Sequence, residues 1–211
     1  MRLYKFRPLA DSDDSKRLKT ILESGEFHCS KFSELNDPME GSFTCGTPEI
    51  ADAIYSEKES YRICSFSTKR ALSKPTMWGY YANGFKGVAI EIEVDPNEVK
   101  PINYIKTLLH LETANQSAEK ILTTKLVSWK AECEYRFLKK ENKEKQKIGK
   151  IQAIYFGNPY QIARNRAQIF ENSQKLQEYE QAREKILKSV ANLKVYFVGI
   201  MDSRVAFNKI S

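Results

Sequence analysis

Apolar and polar residues alternate without a break through Lys86–Val94, KGVAIEIEV. Val88, Ile90, Ile92 and Val94 fall on one side, and Glu91 and Glu93 on the other. A period of two is that of a half-buried strand. The same alternation marks RLYKFR near the start, where Lys5 and Arg7 share a face, and YRICSFST at Tyr61–Thr68, where Ile63, Ser65 and Ser67 do. KIQAIYFG, KVYFVGIMD and RVAFNKI read as further strands. Helical spacing replaces it in DSDDSKRLKTILESG, with cap residues at Asp13 to Ser15, Leu18, Ile21 and Leu22 on one stripe, and Gly25 as the stop. TPEIADAIYSEKES predicts a short helix. KPTMWGYYANG predicts another, with Pro75 in its first turn and Asn83-Gly84 at its end. LLHLETANQSAEKILTTKLV also reads as helical. The longest helix is expected within RAQIFENSQKLQEYEQAREKILKSVANL, where Leu176, Tyr179, Ala182, Ile186, Val190 and Leu193 recur at steps of three and four.

Strands and helices do not alternate regularly, and neither a G-x-G-x-x-G run nor a P-loop is present. The expected fold is α+β with a mostly antiparallel sheet, in a single domain spanning 1–211. No apolar run reaches the roughly 20 residues of a membrane helix, and MRLYKFRPL lacks the pattern of a signal peptide. The expectation is a cytoplasmic protein with no membrane partner. Cys29, Cys45, Cys64 and Cys133 form no C-x-x-C pair, and only His28 and His110 are available as imidazoles. The expectation is therefore four buried, reduced thiols and no metal site.

Lysine and arginine outnumber the acids 34 to 27, a formal net charge of +7, which favours an anionic partner such as a nucleotide, DNA or RNA. Part of the excess lies in KKENKEKQKIGK, Lys139–Lys150, expected as a mobile exposed loop or, alternatively, a phosphate-contacting one.

The densest chemistry lies in SWKAECEYRF. Read as a strand, it places Glu132, Glu134 and Arg136 on one face and Cys133, Tyr135 and Phe137 on the other. Two carboxylates at that spacing, with Cα atoms about 6 to 7 Å apart, can divide the labour of stabilising positive charge and activating an attacking group. On spacing alone they read first as a structural pairing, Glu134 with Arg136 or Lys139 on an exposed strand face. Trp78, Tyr80 and Tyr81 are read first as core and second as a stacking surface for a nicotinamide or adenine ring.

In order along the chain, LYKFR, FSELNDPMEG, ICSFS, MWGYYANGFKGVAIEIE, WKAECEYRF and IYFG resemble a bacterial domain family of unknown function. That family is associated with phage-defence loci and related to the AbiGi abortive-infection proteins; the resemblance runs from Leu3 to Gly157. A more distant likeness is to DarT-like and RNA 2′-phosphotransferase-like ADP-ribosyltransferases. It implies a split sheet binding NAD as substrate. Arg7, with Lys5, would hold the phosphates, and Ser67 and Ser65 would lie on the ribose-supporting strand. Trp78 or Tyr81 would stack on nicotinamide, and Asn36, Asp37 and Met39 would form a substrate loop. Glu134 would stabilise the oxocarbenium ion, and Glu132 would orient the acceptor. The resemblance implies a toxin or phage-defence effector acting on DNA or RNA, with a cognate antitoxin or toxin as partner. A non-enzymatic antitoxin or sensor with a degenerate cleft, and an NAD glycohydrolase, remain as alternatives.

Overall fold

The computed structural model describes residues 1–35, 41–112, 118–159, 174–190, 192–201 and 204–210. The fold is mixed α+β, with its strands paired mostly antiparallel. The chain forms two compact units and passes repeatedly between them: Met1–Glu26, Ser67–Val94 and Ile148–Ser211 make the first, Phe27–Phe66 and Asp95–Lys147 the second.

The first unit is built on five strands in the order β14 (Arg204–Lys209), β13 (Lys194–Met201), β12 (Lys150–Gly157), β5 (Gly87–Glu93) and β1 (Arg2–Pro8). The β12–β13 pair is parallel; β1–β5, β5–β12 and β13–β14 are antiparallel. The alternation of β5 puts Val88, Ile90 and Ile92 in the core, with Leu3, Ile154, Phe156 and Val195. Over the sheet lie α1 (Ser12–Ser24) and, packed beside it, α6 (Gln174–Ser189). Asp11, not Asp13 to Ser15, caps α1, accepting from the amides of Asp13 and Asp14 at 2.9 and 2.8 Å. Gly25 ends that helix in the left-handed region, φ 69°, donating to the Ile21 carbonyl. Leu176, Tyr179, Ala182 and Ile186 are the buried stripe of α6, and its Tyr179 hydroxyl donates to the Gly157 carbonyl. The short helices α3 (Lys69–Leu72) and α4 (Pro75–Tyr81) pack on β1, with Phe6 edge-on to Trp78.

One expectation for β5 is overturned. Glu91 is not on a solvated face but is 4% exposed. Its Oε2 accepts from the hydroxyls of Tyr155 at 2.7 Å and Tyr4 at 3.2 Å, and Oε1 lies 3.3 Å from Arg2. A carboxylate can be buried there because donors replace the water it loses.

In the second unit β4 (Tyr61–Ser67, its last residue counted in the first unit), β10 (Glu134–Lys140) and β6 (Val99–Pro101) are neighbours in that order. Around them are three two-stranded pairs: β3 (Phe43–Cys45) with β8 (Leu109–Leu111), β7 (Asn103–Ile105) with β9 (Thr124–Leu126), and β2 (Glu26–His28) with β11 (Lys145–Lys147). Helix α2 (Pro48–Glu59), capped by Thr47, buries Ile54 against Leu111 and Ile121 of α5 (Ala118–Leu122). Lys58 of α2 is fully buried; its ammonium donates to the Gly41 carbonyl at 2.9 Å and sits 3.5 Å from the centre of the Phe32 ring.

The segment expected as one helix from Leu108 to Val127 holds instead β8, the short α5 and β9. Leu109 and Leu111 stand two apart, as in the strand they form, while Ile121 and Leu122 lie in the short α5, so one helical stripe does not run through the segment. The Lys139–Lys150 connector is not a free loop. Arg62 donates to the Asn142 carbonyl at 3.1 Å, the Cys29 amide donates to the Glu144 carbonyl at 2.7 Å, and Gln146 is buried in β11. All four cysteines are reduced thiols, but only Cys29 and Cys64 are buried; Cys45 and Cys133 are half-exposed.

Candidate functional site

The glutamate pair does not sit on one strand. Val127–Glu132 forms a 3-10 helix, Cys133 turns the chain in the left-handed region at φ 46°, and β10 begins at Glu134. In a straight strand the two carboxylates would point the same way about 7 Å apart. The turn at Cys133 instead brings both onto a single cation. Lys125 Nζ lies 2.7 Å from Glu132 Oε2 and 2.8 Å from Glu134 Oε2. Arg136 closes the group, with Nε 2.7 Å from Glu134 Oε1, Nη2 3.4 Å from Oε2, and Nη1 donating to the Leu122 carbonyl at 2.5 Å.

Two parallel strands deliver the remaining pieces. In the β7–β9 pair Tyr104 lies opposite Lys125, and the Tyr104 hydroxyl accepts the Glu134 amide at 2.9 Å. The Ile102 amide donates to the Glu134 carbonyl, so the backbone of Glu134 is held on both sides. Lys125 also lies 5.5 Å from the centre of the Trp129 ring. Sequence reasoning missed Lys125 and Tyr104. Their signal is the polar residue at the centre of each of the strand-like triplets NYI and TKL.

Glu132, Glu134 and Arg136 are 6%, 4% and 0% exposed, so the group is dry as well as paired. Burial alone would raise the Glu134 carboxyl; the charges of Arg136 and Lys125, with their hydrogen bonds, outweigh it and bring it down to about 2. Burial, with the negative charges of Glu134 and Glu132 adding to it, pushes the Tyr104 hydroxyl up to about 12. Among the described residues two carboxylates face two cations, and their formal charges cancel. A cancelled quartet projects little net field, and each oxygen of Glu134 is already in contact with a cation. Stabilising an oxocarbenium ion would require those contacts to loosen.

The other candidates are divided between the units. Ser65 belongs to the second unit with the glutamates and is half-buried. Lys5, Arg7, Ser67, Trp78 and Tyr81 belong to the first. Ser67 is 6% exposed and lies opposite Tyr4 of β1. Lys5 and Arg7 are half-buried, and Arg7 Nε is buried with no hydrogen-bond partner among the described residues. Trp78 is not a stacking surface for a ligand. It is 0% exposed, with Phe85 stacked on it at 5.4 Å, Phe6 edge-on, and its indole N–H donating to the Leu72 carbonyl. Tyr81 is 39% exposed. Asn36, Asp37 and Met39 lie outside the described residues. Among the described residues no three His, Cys, Asp or Glu side chains gather as a metal site, and no helix is long and apolar enough to cross a membrane.

Compared with known proteins, the chain matches no family model, no curated protein and no solved structure.

Proposed function

We propose that the chain is a non-enzymatic binding module, of the antitoxin or sensor class, in which Glu132 and Glu134 are structural. The observation that carries this reading is the ion cluster. Lys125 and Arg136 occupy both oxygens of Glu134 within 2.8 Å, in a site from which water is excluded. A catalytic carboxylate must offer its charge to the substrate; this one uses its charge inside the fold. The excess of basic residues makes the ligand an anion. Calorimetry with NAD, together with incubation with labelled NAD and separate DNA, RNA and lysate fractions, tests the reading. Expected are no release of nicotinamide and no transfer of label. Transfer by the wild type that disappears in Glu134→Gln, with that variant still folded, would overturn it.

A second reading is favoured by one observation in the first unit. Arg7 carries a buried Nε without a partner among the described residues, as an arginine awaiting a phosphate would. With Glu134 held ionised, this supports the NAD-dependent ADP-ribosyltransferase that the sequence resemblance implies, acting as a phage-defence effector. Saturable NAD binding that Arg7→Met abolishes, accompanied by turnover, would favour it.

A further inference from the structure

The first unit's sheet has one face covered by α1 and α6. The opposite face carries a different set of side chains, laid out in rows by the strand register. Arg2, Glu93 and Lys150 form one row across β1, β5 and β12. Tyr4, Glu91 and Ala153 form the next. Lys194 extends that row, since it pairs with Ala153. Tyr155, Tyr196 and Lys209 form a third across β12, β13 and β14, and Phe207 follows opposite Val198. The α3–α4 segment covers the β1 end of this face through Trp78 on Phe6. Toward β14 the face opens: Lys150, Lys194 and Lys209 are exposed, Phe207 is 38% exposed and Tyr196 is half-buried.

Tyr196 stacks on Tyr155 with ring centres 4.5 Å apart and planes 8° from parallel, and Phe207 meets Tyr155 edge-on. Parallel rings on adjacent strands stand upright from the sheet. The second face of Tyr196 therefore looks toward β14, where Lys209 is its registered neighbour. The charge on this face is mainly positive, with one exposed carboxylate, Glu93, registered beside Lys150. Among the described residues of these strands, its exposed cations are Arg2, Lys150, Lys194 and Lys209. The carboxylates are Glu91, buried and paired with Arg2, and Glu93, which accepts from Gln152 at 2.9 Å.

We infer that this face is a docking platform for single-stranded nucleic acid. Bases stack on Tyr196 and Phe207, and the backbone phosphates meet Lys150, Lys194 and Lys209. Upright aromatic rings bordered by lysines are what a strand with exposed bases needs, because every base has a π-face and every linkage a negative charge. The three open strands β12, β13 and β14, at about 4.8 Å spacing, span roughly 10 Å, room for about two nucleotides. A duplex hides its base faces and gains only the lysines. The inference names the ligand for the binding-module reading, yet it holds equally if the chain turns over NAD, with the strand then as acceptor.

The test is fluorescence anisotropy with labelled oligo-U, oligo-dT and a duplex of equal length, titrated over a range of salt. Both single strands should bind more tightly than the duplex. Phe207→Ala and Tyr196→Ala should each weaken binding about tenfold, the loss expected for one stacked base. Lys194→Glu with Lys209→Glu should reduce the dependence of log K on log salt by about 0.7 for each phosphate no longer neutralised. Because Tyr196 packs on Tyr155, circular dichroism accompanies its variant, and the exposed Phe207 and lysine variants carry the test should Tyr196→Ala misfold. Tighter oligo-U than oligo-dT would identify RNA as the source of the strand; the reverse, DNA. No binding, equal binding of duplex or poly-glutamate, or single-strand binding untouched by the Phe207 and lysine variants would overturn the platform. The last of these would leave the binding-module reading standing, whereas NAD turnover would overturn that reading and leave the platform untouched.

Discussion

Arg136 Nε lies 2.7 Å from the carboxylate of Glu134, its own neighbour two places back along β10, and both residues are buried. Side chains at i and i+2 of a strand share a face but do not normally touch. Here the contact closes because Lys125 draws on the same carboxylate and the Leu122 carbonyl anchors the far end of the guanidinium. Neither charge would survive burial alone.

Breaking this cluster should cost stability before it costs anything else. Glu134→Gln keeps the shape but strands Arg136 and half of Lys125, so a loss of about 3 kcal/mol is expected. Urea denaturation measures it. Glu134→Leu combined with Arg136→Met should lose less than the two single changes added together, because the pair leaves as a unit.

Stability should also fall in acid. The folded-state pKa of Glu134, about 2, lies below its ordinary value of 4.5, so as pH drops the unfolded chain takes up the proton first. The contribution is complete above about pH 4.5, fades toward pH 2 and amounts to about 3 kcal/mol. Chemical denaturation from about pH 6 to about pH 2.5 should show the decline in the wild type and a flatter curve in Glu134→Gln.

Tyr4 and Tyr155 should resist alkali. Burial first, then the charge of Glu91 and its hydrogen bond, push Tyr4 up to about 12 and Tyr155 higher still. With folded pKa values above the unfolded value of 10.0, their stabilisation is present below that pH and is lost as the pH rises beyond it. Phenolate absorbance should therefore appear for these rings only on unfolding. Glu91→Gln should lower the onset without returning it to the unfolded value, since burial is the larger cause.

Two glycines should answer oppositely to alanine. A Cβ on Gly157 would stand 2.1 Å from the Phe85 carbonyl oxygen, backbone against backbone, and Phe85 already sits at φ 67°. Gly157→Ala should destabilise by about 3 kcal/mol, the upper range for overpacking. A Cβ on Gly79 meets nothing within 4 Å, and the residue lies in α4, so Gly79→Ala should gain up to about 1 kcal/mol. Thermal melts of the two variants compare them directly.

The strands β1, β4, β5, β12, β13 and β14 and the helices α1, α2, α4 and α6 were legible because their signals are local. Period-two alternation, Pro75 at a helix start and Gly25 at a helix end each act within a few residues. What the sequence could not decide were the places where partners come from far away. Leu108–Val127 reads as one helix from its composition, and pairing of β8 and β9 with distant strands divides it. Glu91 looked solvated until Tyr155, 64 residues on, closed over it. The sequence alone brought Glu132, Glu134 and Arg136 together as a charged group. Only the tertiary structure supplied Lys125 and Tyr104 and turned the chain at Cys133, and it thereby decided that these charges neutralise one another. That decision is tertiary because a charge's state depends on which groups are within a few ångströms, and chain spacing does not fix that distance.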